Sequence, residues 1–271
     1  MSKFIGIDFS GGARPWRFSV HEPTVWIATI RHIDGKPQLD TLIPVQELPG
    51  TECPFDRLVT LLESDNFEVA TIDAPFSIPS AHLSSGRHAD LIERVRALPN
   101  GPDRPFPMGR CILELANPEL LVLERKPLRQ TEAFWASKRV ATRSTLWNGP
   151  RGGAPFAAAC LRLIERTGRP CWPWSTFQPG ILAEAFPAAQ LYQWSLPYKK
   201  YSGQEGRANR EIIIDDLRDR IHIDSHNARL MLASPDALDA VLATFGAIAI
   251  AEGTVVGFSD APNDGFIAIA P

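Results

Sequence analysis

Apolar positions along the first 75 residues change period several times, and each change marks an element. Residues 3–8 are a short apolar run bounded by glycine, which reads as a buried strand. Residues 24–31 (Thr-Val-Trp-Ile-Ala-Thr-Ile-Arg) predict a second strand, and Asp34-Gly35 is a hairpin turn signal. A third strand is expected over about 38–45. Phe55, Leu58, Val59, Leu61 and Leu62 then fall at helical spacing and predict a helix over 54–64. A further apolar run, Val69 to Asp73, returns to strand, so the order begins strand, strand, strand, helix, strand.

From about 75 to 180 that rhythm breaks. Prolines recur from Pro75 to Pro179, and each disfavours helix at the preceding residue. Short helices are expected at 86–97, 131–139 and 155–167, in a helical and loop-rich insertion without a strand set of its own. Residues 181–186 read as a strand that resumes the core, followed by helices at 188–194 and 206–221. The last long helix spans 234–251, with Ser234 as N-cap and Pro235 in its first turn. Two short terminal strands, 254–258 and 265–269, flank an Asn263-Asp264-Gly265 turn. The pattern predicts a single α/β domain over 1–271, three-layered, with a mixed sheet of about five strands. Residues 3–9 and 68–74 should be adjacent strands in it, with Asp8 central.

Charge changes this picture regionally. The whole chain carries a net charge of −3, which selects no partner. Residues 87–151, however, hold 12 Lys plus Arg against 7 Asp plus Glu, a local +5, which leaves −8 for the remainder. A basic segment on an acidic body can attract phosphate or serve as a solvated surface. This segment should form one wall of a cleft over the acids. Cys53, Cys111, Cys160 and Cys171 form no CxxC pair, which weakens zinc-finger and thioredoxin-type readings. Free thiols, a start without signal-peptide organisation and the absence of an apolar run near 18 residues favour a cytoplasmic protein without a membrane span. Nothing in the pattern specifies an oligomeric state.

The candidate chemistry is carried by acids. Asp8 and Asp73 each end a buried strand, and Asp236 and Asp239 lie three apart at the start of the last helix. Carboxylates so placed can converge on a divalent cation. The helical pair can instead complement the helix N-terminus. Glu184 ends another strand and is either a further acid of the cluster or a partner for an arginine. Ser10, Arg87, Lys200 and Arg207 are the substrate-contact candidates. Arg87 and Asp90 can also be a surface ion pair, and Lys199, Lys200, Arg207 and Arg210 a solvated basic face. His222 and His226 have i, i+4 metal-ligand spacing with no adjacent acid. Trp172 and Trp174 suit packing or base stacking.

The ordered set Gly6-Ile7-Asp8-Phe9-Ser10-Gly11, Ile72-Asp73-Ala74-Pro75-Phe76, Arg87-His88-Ala89-Asp90, Glu184-Ala185-Phe186-Pro187-Ala188-Ala189 and Asp236-Ala237-Leu238-Asp239-Ala240 spans nearly the whole chain. It resembles the domain-of-unknown-function 429 (DUF429) family, described as predicted nucleases with a ribonuclease H-like (RNase H-like) fold. The Asp236-x-x-Asp239 pair is also similar to the Holliday-junction resolvase branch of that superfamily. The resemblance implies an acid on the first strand, one ending the fourth and one or two on the last helix. It implies a nuclease or phosphodiester hydrolase acting on DNA or RNA with Mg²⁺ or Mn²⁺. Asp8 would then bridge two ions roughly 3.5–4 Å apart, with Asp73, Asp239 and Glu184 completing the ligands. Two alternatives stand beside it. One is an ATP-dependent phosphotransferase of the actin and sugar-kinase class, whose phosphate loop also opens with an Asp followed by small residues. The other is a non-catalytic binding module on the same fold.

Overall fold

The computed structural model describes residues 2–33, 36–83, 86–122, 124, 126–149, 152–257 and 264–271. The Asp34-Gly35 turn, and Asn263 of the later one, lie outside the described residues. Five strands form one mixed sheet: β1 (Lys3–Asp8), β2 (Trp26–Ile33), β3 (Lys36–Pro44), β4 (Val69–Asp73) and β5 (Ile181–Glu184). Their order is β3-β2-β1-β4-β5, so β1 is central. It runs antiparallel to β2 and parallel to β4, and β4 runs parallel to β5. Asp8 pairs in register with Asp73. The expected adjacency of the first and fourth strands is therefore observed.

Helices cover both faces of this α/β sheet. Ile5, Ile7, Ala70, Ile72 and Leu182 face α1 (Pro54–Ser64) and α5 (Gly153–Thr167) in one apolar cluster. The helices α6 (Pro187–Gln193), α7 (Arg207–Arg220), α8 (Ser225–Ala233) and α9 (Pro235–Glu252) lie toward the other face. There Trp26, Ala28, Ile30, Leu39 and Leu42 pack with Ile213, Met231, Leu238 and Val241. Between β4 and β5 come α2 (His88–Arg96), α3 (Gly109–Ala116) and α4 (Gln130–Ser137). Leu91, Val95, Ile112 and Leu113 of α2 and α3 pack on Ala157, Ala158 and Leu161 of α5. Since α5 also packs on the sheet, the 75–180 segment is continuous with the core at its far end.

Two of these helices, α3 and α8, were not expected from the pattern. The first begins on Gly109 between clustered prolines, and the second is a nine-residue helix capped by Asp224, whose carboxylate accepts the Asn227 amide. The terminal strands are a correction in the other direction. Among the described residues they reduce to isolated bridges, Val256 with Ile269 and Glu184 with Ile267. No single described helix is long and apolar enough to cross a membrane.

The strand pleat decides which acids can meet. Successive side chains alternate faces, so Phe4, Gly6 and Asp8 share the α9 side while Ile5 and Ile7 point to α1 and α5. Thr71 is on the α9 side too, donating its hydroxyl to the Ala243 carbonyl at 2.7 Å, and Asp73 follows two residues on. Gly6 is where α9 comes closest. A Cβ there would sit 2.6 Å from the Thr244 amide nitrogen and closer still to the Ala240 carbonyl oxygen. Gly6→Ala should therefore cost at least the about 1–3 kcal/mol typical of overpacking, because helix backbone must move. Denaturant unfolding that returned the wild-type midpoint would show that α9 can slide outward freely.

Candidate metal centre

Asp8, Asp73 and Asp239 come together at the carboxyl ends of β1 and β4, under the first turns of α9. Each offers a carboxylate oxygen, and these oxygens all lie within 4.8 Å of one another. Ser234 caps α9 by accepting the Ala237 amide at 3.2 Å, which fixes the helix start above the strand ends. Asp8 is buried, and Asp73 and Asp239 are partly covered. Asp236 is not among the three clustered acids, though its charge reaches all of them.

Electrostatics follow from burying like charges. Burial, then Asp239, Asp236 and Asp73, raise the Asp8 carboxyl well above the usual range. Burial, then Glu184 and Asp236, raise Asp73 to about 7. Burial and Asp73 raise Asp239, against a lowering hydrogen bond from Tyr201. Burial raises Asp236 to about 6. Protonation relieves this repulsion, and a bound cation can do the same; a set of carboxylate oxygens suits a hard divalent one.

A pH dependence follows. An unfolded aspartate titrates near about 3.9, so between roughly pH 4 and pH 7 the folded metal-free protein holds more protons than the unfolded chain. Stability from Asp73 is thus present below that window and lost as pH rises through about 7. Thermal melting in chelator should show Tm falling from pH 5 to 8. Saturating Mn²⁺ should remove the fall, since ligation needs the deprotonated acids. A chelated protein that gained stability over this range would contradict the buried-acid account.

A cleft of about 470 Å³ opens on the cluster. Asp73 and Asp239 line it, with Pro75, Arg129, Glu132, Arg143, Gly153 and Phe156 supplied by the 75–180 segment. That segment is therefore a wall of the cleft, as expected. Part of its basic excess is committed elsewhere: Arg96 pairs with Glu93 and Glu165, and Arg104 with Asp103.

Glu184 does not join the cluster, which corrects its assignment as a metal ligand. It pairs in register with Ile72, which points to the α5 side, so the pleat turns it away from α9. There Arg129 takes both oxygens, Nη2 to Oε1 at 2.6 Å and Nη1 to Oε2 at 2.7 Å, and the Phe76 amide donates to Oε2. The Arg129 Nε also donates to Glu132 at 3.0 Å. Asp264 joins this hub by accepting the amides of Ser80 and Gln130, each at 2.6 Å.

The substrate-contact candidates also fall elsewhere. Ser10 folds its own loop, its hydroxyl accepting the Gly12 amide at 3.2 Å. Arg87 is exposed and pairs with Asp90 at 2.6 Å, and Arg207 pairs with Glu211 at 3.3 Å. Lys200 is exposed, with a left-handed backbone at φ 56°. None of these lines the cleft, where the cations among the described residues are Arg129 and Arg143. Arg210 is a buried clamp, donating to the carbonyls of Tyr201, Gly203 and Leu232. His222 precedes α8 and His226 lies within it, both exposed, so they share no helical face. His88 is buried and donates Nε2–H to the Phe76 carbonyl at 2.8 Å while stacking on Trp174 at 3.7 Å. Burial lowers that imidazole to about 4, so it stays neutral and props the loop after β4.

Tyr201 was not foreseen. Its hydroxyl donates to Asp239 Oδ1 at 2.9 Å. No spacing links residue 201 to residue 239, and only the packing of the 198–206 segment brings them together. Compared with known families, the chain matches the model described as "Protein of unknown function (DUF429)" over residues 6–264. No curated protein and no solved structure matches it.

Proposed function

The chain belongs to the DUF429 family, and from its acidic centre we propose that it is a metal-dependent nuclease or related phosphodiester hydrolase of RNase H-like fold. The observation that carries this reading is convergence. Acids from the first strand, the fourth strand and the last helix bring ligand oxygens within 4.8 Å of one another. Placement of the two strand acids side by side on central β1 and its neighbour supports the RNase H-like assignment.

Asp8, Asp73 and Asp239 would hold Mg²⁺ or Mn²⁺, with Asp236 bordering them. Such an ion, when bound, supplies an activated water and stabilises charge on the phosphoryl oxygens. The chain contributes the rest. Asp73 and Asp239 present carboxylates to the cleft, and Asp8 backs them from the sheet. Among the described residues, Arg143 is an exposed cation on the cleft wall, placed where a phosphate would enter. Phe156, Phe186 and Ile267 form an apolar lining against which a base of DNA or RNA can lie. Four free cysteines fit a cytoplasmic setting.

The phosphotransferase alternative needs an open phosphate loop after β1. A Cβ on Gly11 would instead collide with the backbone of Pro155 and Phe156, so α5 fills that space. The test is a Mn²⁺ soak of crystals together with a cleavage panel of single-stranded, duplex and branched DNA and RNA. Density between Asp8, Asp73 and Asp239 with Mn²⁺-dependent cleavage is the expected result. Neither density nor cleavage would leave the fold as a binding module.

A further inference from the structure

We propose that Tyr201 is a positioning residue for the candidate metal centre, fixing the Asp239 carboxylate so that its remaining lone pairs face the ion; this rests on the metal-dependent reading above. Tyr201 is 7% exposed, and its hydroxyl donates to Asp239 Oδ1 at 2.9 Å. A carboxylate on the first turns of a helix has free rotation about its side-chain bonds unless something holds it. The phenol removes that freedom, because one oxygen accepts a directed bond.

The phenol is itself held firmly. Its ring sits in the apolar cluster formed by β2, β3, α7, α8 and α9. The Tyr201 carbonyl accepts from the buried guanidinium of Arg210, which also donates to the Gly203 carbonyl at 2.8 Å and, through Nε, to the Leu232 carbonyl at 3.0 Å. Asn209 donates to the Lys200 carbonyl at 3.1 Å. Gly206 lies so close that a Cβ would strike the Tyr201 carbonyl. Residues of α7 therefore anchor the segment on both sides of Tyr201, and the next residue, Ser202, lines the cleft. Anchorage of this kind is what a ligand needs to be held in productive geometry before an ion arrives.

The test is Tyr201→Phe, which keeps the ring and removes only the donor. Calorimetric titration with Mn²⁺ should show affinity falling about 10–100-fold, the range for loss of an outer partner of a metal ligand. Cleavage should need correspondingly more Mn²⁺ and return toward the wild-type rate at saturation. A hydroxyl that merely supported the fold would lower Tm and leave Mn²⁺ affinity alone. Unchanged affinity in the variant, beside clear binding by wild type, overturns the role of Tyr201 and leaves the metal centre standing. A variant that does not fold also overturns it, since the hydroxyl would then be structural. No Mn²⁺ binding by wild type would remove the metal reading itself.

Discussion

Asp8→Asn should abolish Mn²⁺-dependent cleavage while leaving the fold intact. Asparagine has nearly the same shape, so the packing of β1 survives, but its amide carries no charge to hold a cation. The loss should exceed the about 10–100-fold that removal of an outer partner costs. The same substitution has a second, opposite effect. Asp8 lies among Asp239, Asp236 and Asp73, all of which oppose its ionisation. Removing one member of that group relieves repulsion in chelated protein, so its Tm should equal or exceed that of wild type. A variant that loses activity and also melts lower in chelator would indicate structural damage. Equal cleavage by the two proteins would mean that the nuclease activity resides elsewhere or in a contaminant.

Arg129→Met should be the most destabilising single change near the cleft. Arg129, Glu132 and Glu184 are 2%, 4% and 4% exposed, and one guanidinium serves both acids. Burial alone would make the guanidinium easier to deprotonate, but the charges of Glu184 and Glu132 more than offset that. Without it two buried carboxylates face each other unpaired. Breaking a buried pair from one side costs about 3–5 kcal/mol. At about 2–4 °C per kcal/mol for a chain near this size, Tm should fall by roughly 6–20 °C. Adding Glu184→Gln should recover part of the loss, because one unpaired charge is gone. A double variant less stable than Arg129→Met alone would show that Glu184 is stabilised chiefly by the Phe76 amide rather than by Arg129.

Much of the architecture was legible from period and punctuation. The helix at 54–64 and the strand ending at Asp73 stand where the apolar spacing puts them, because both are buried on a face that the pattern records. The three clustering aspartates were legible for the same reason, as acids that interrupt otherwise apolar runs. Glu184 shows where such reading stops. It also ends a buried strand, yet it sits one residue out of phase with Asp73 across the β4–β5 pairing, and register is not written in either strand. Arg129 and Tyr201 were hidden for a related reason: each acts through a partner far away in sequence, and nothing local marks it. The helices α3 and α8 were missed because proline density and short length obscure a helical period.

The route of the chain through the fold has a consequence for its synthesis. Asp8 and the strand that carries it emerge before the rest of the sheet, in whose middle they lie, whereas Asp239 belongs to α9. The amides of Ser80 and Gln130 wait longer still, for the carboxylate of Asp264. Translation must therefore pass the start of α9 before the third carboxylate exists, whatever order the elements fold in. A nascent chain halted between β4 and α9 carries Asp8 and Asp73 alone, two acids of a three-acid centre that no such shorter product can complete.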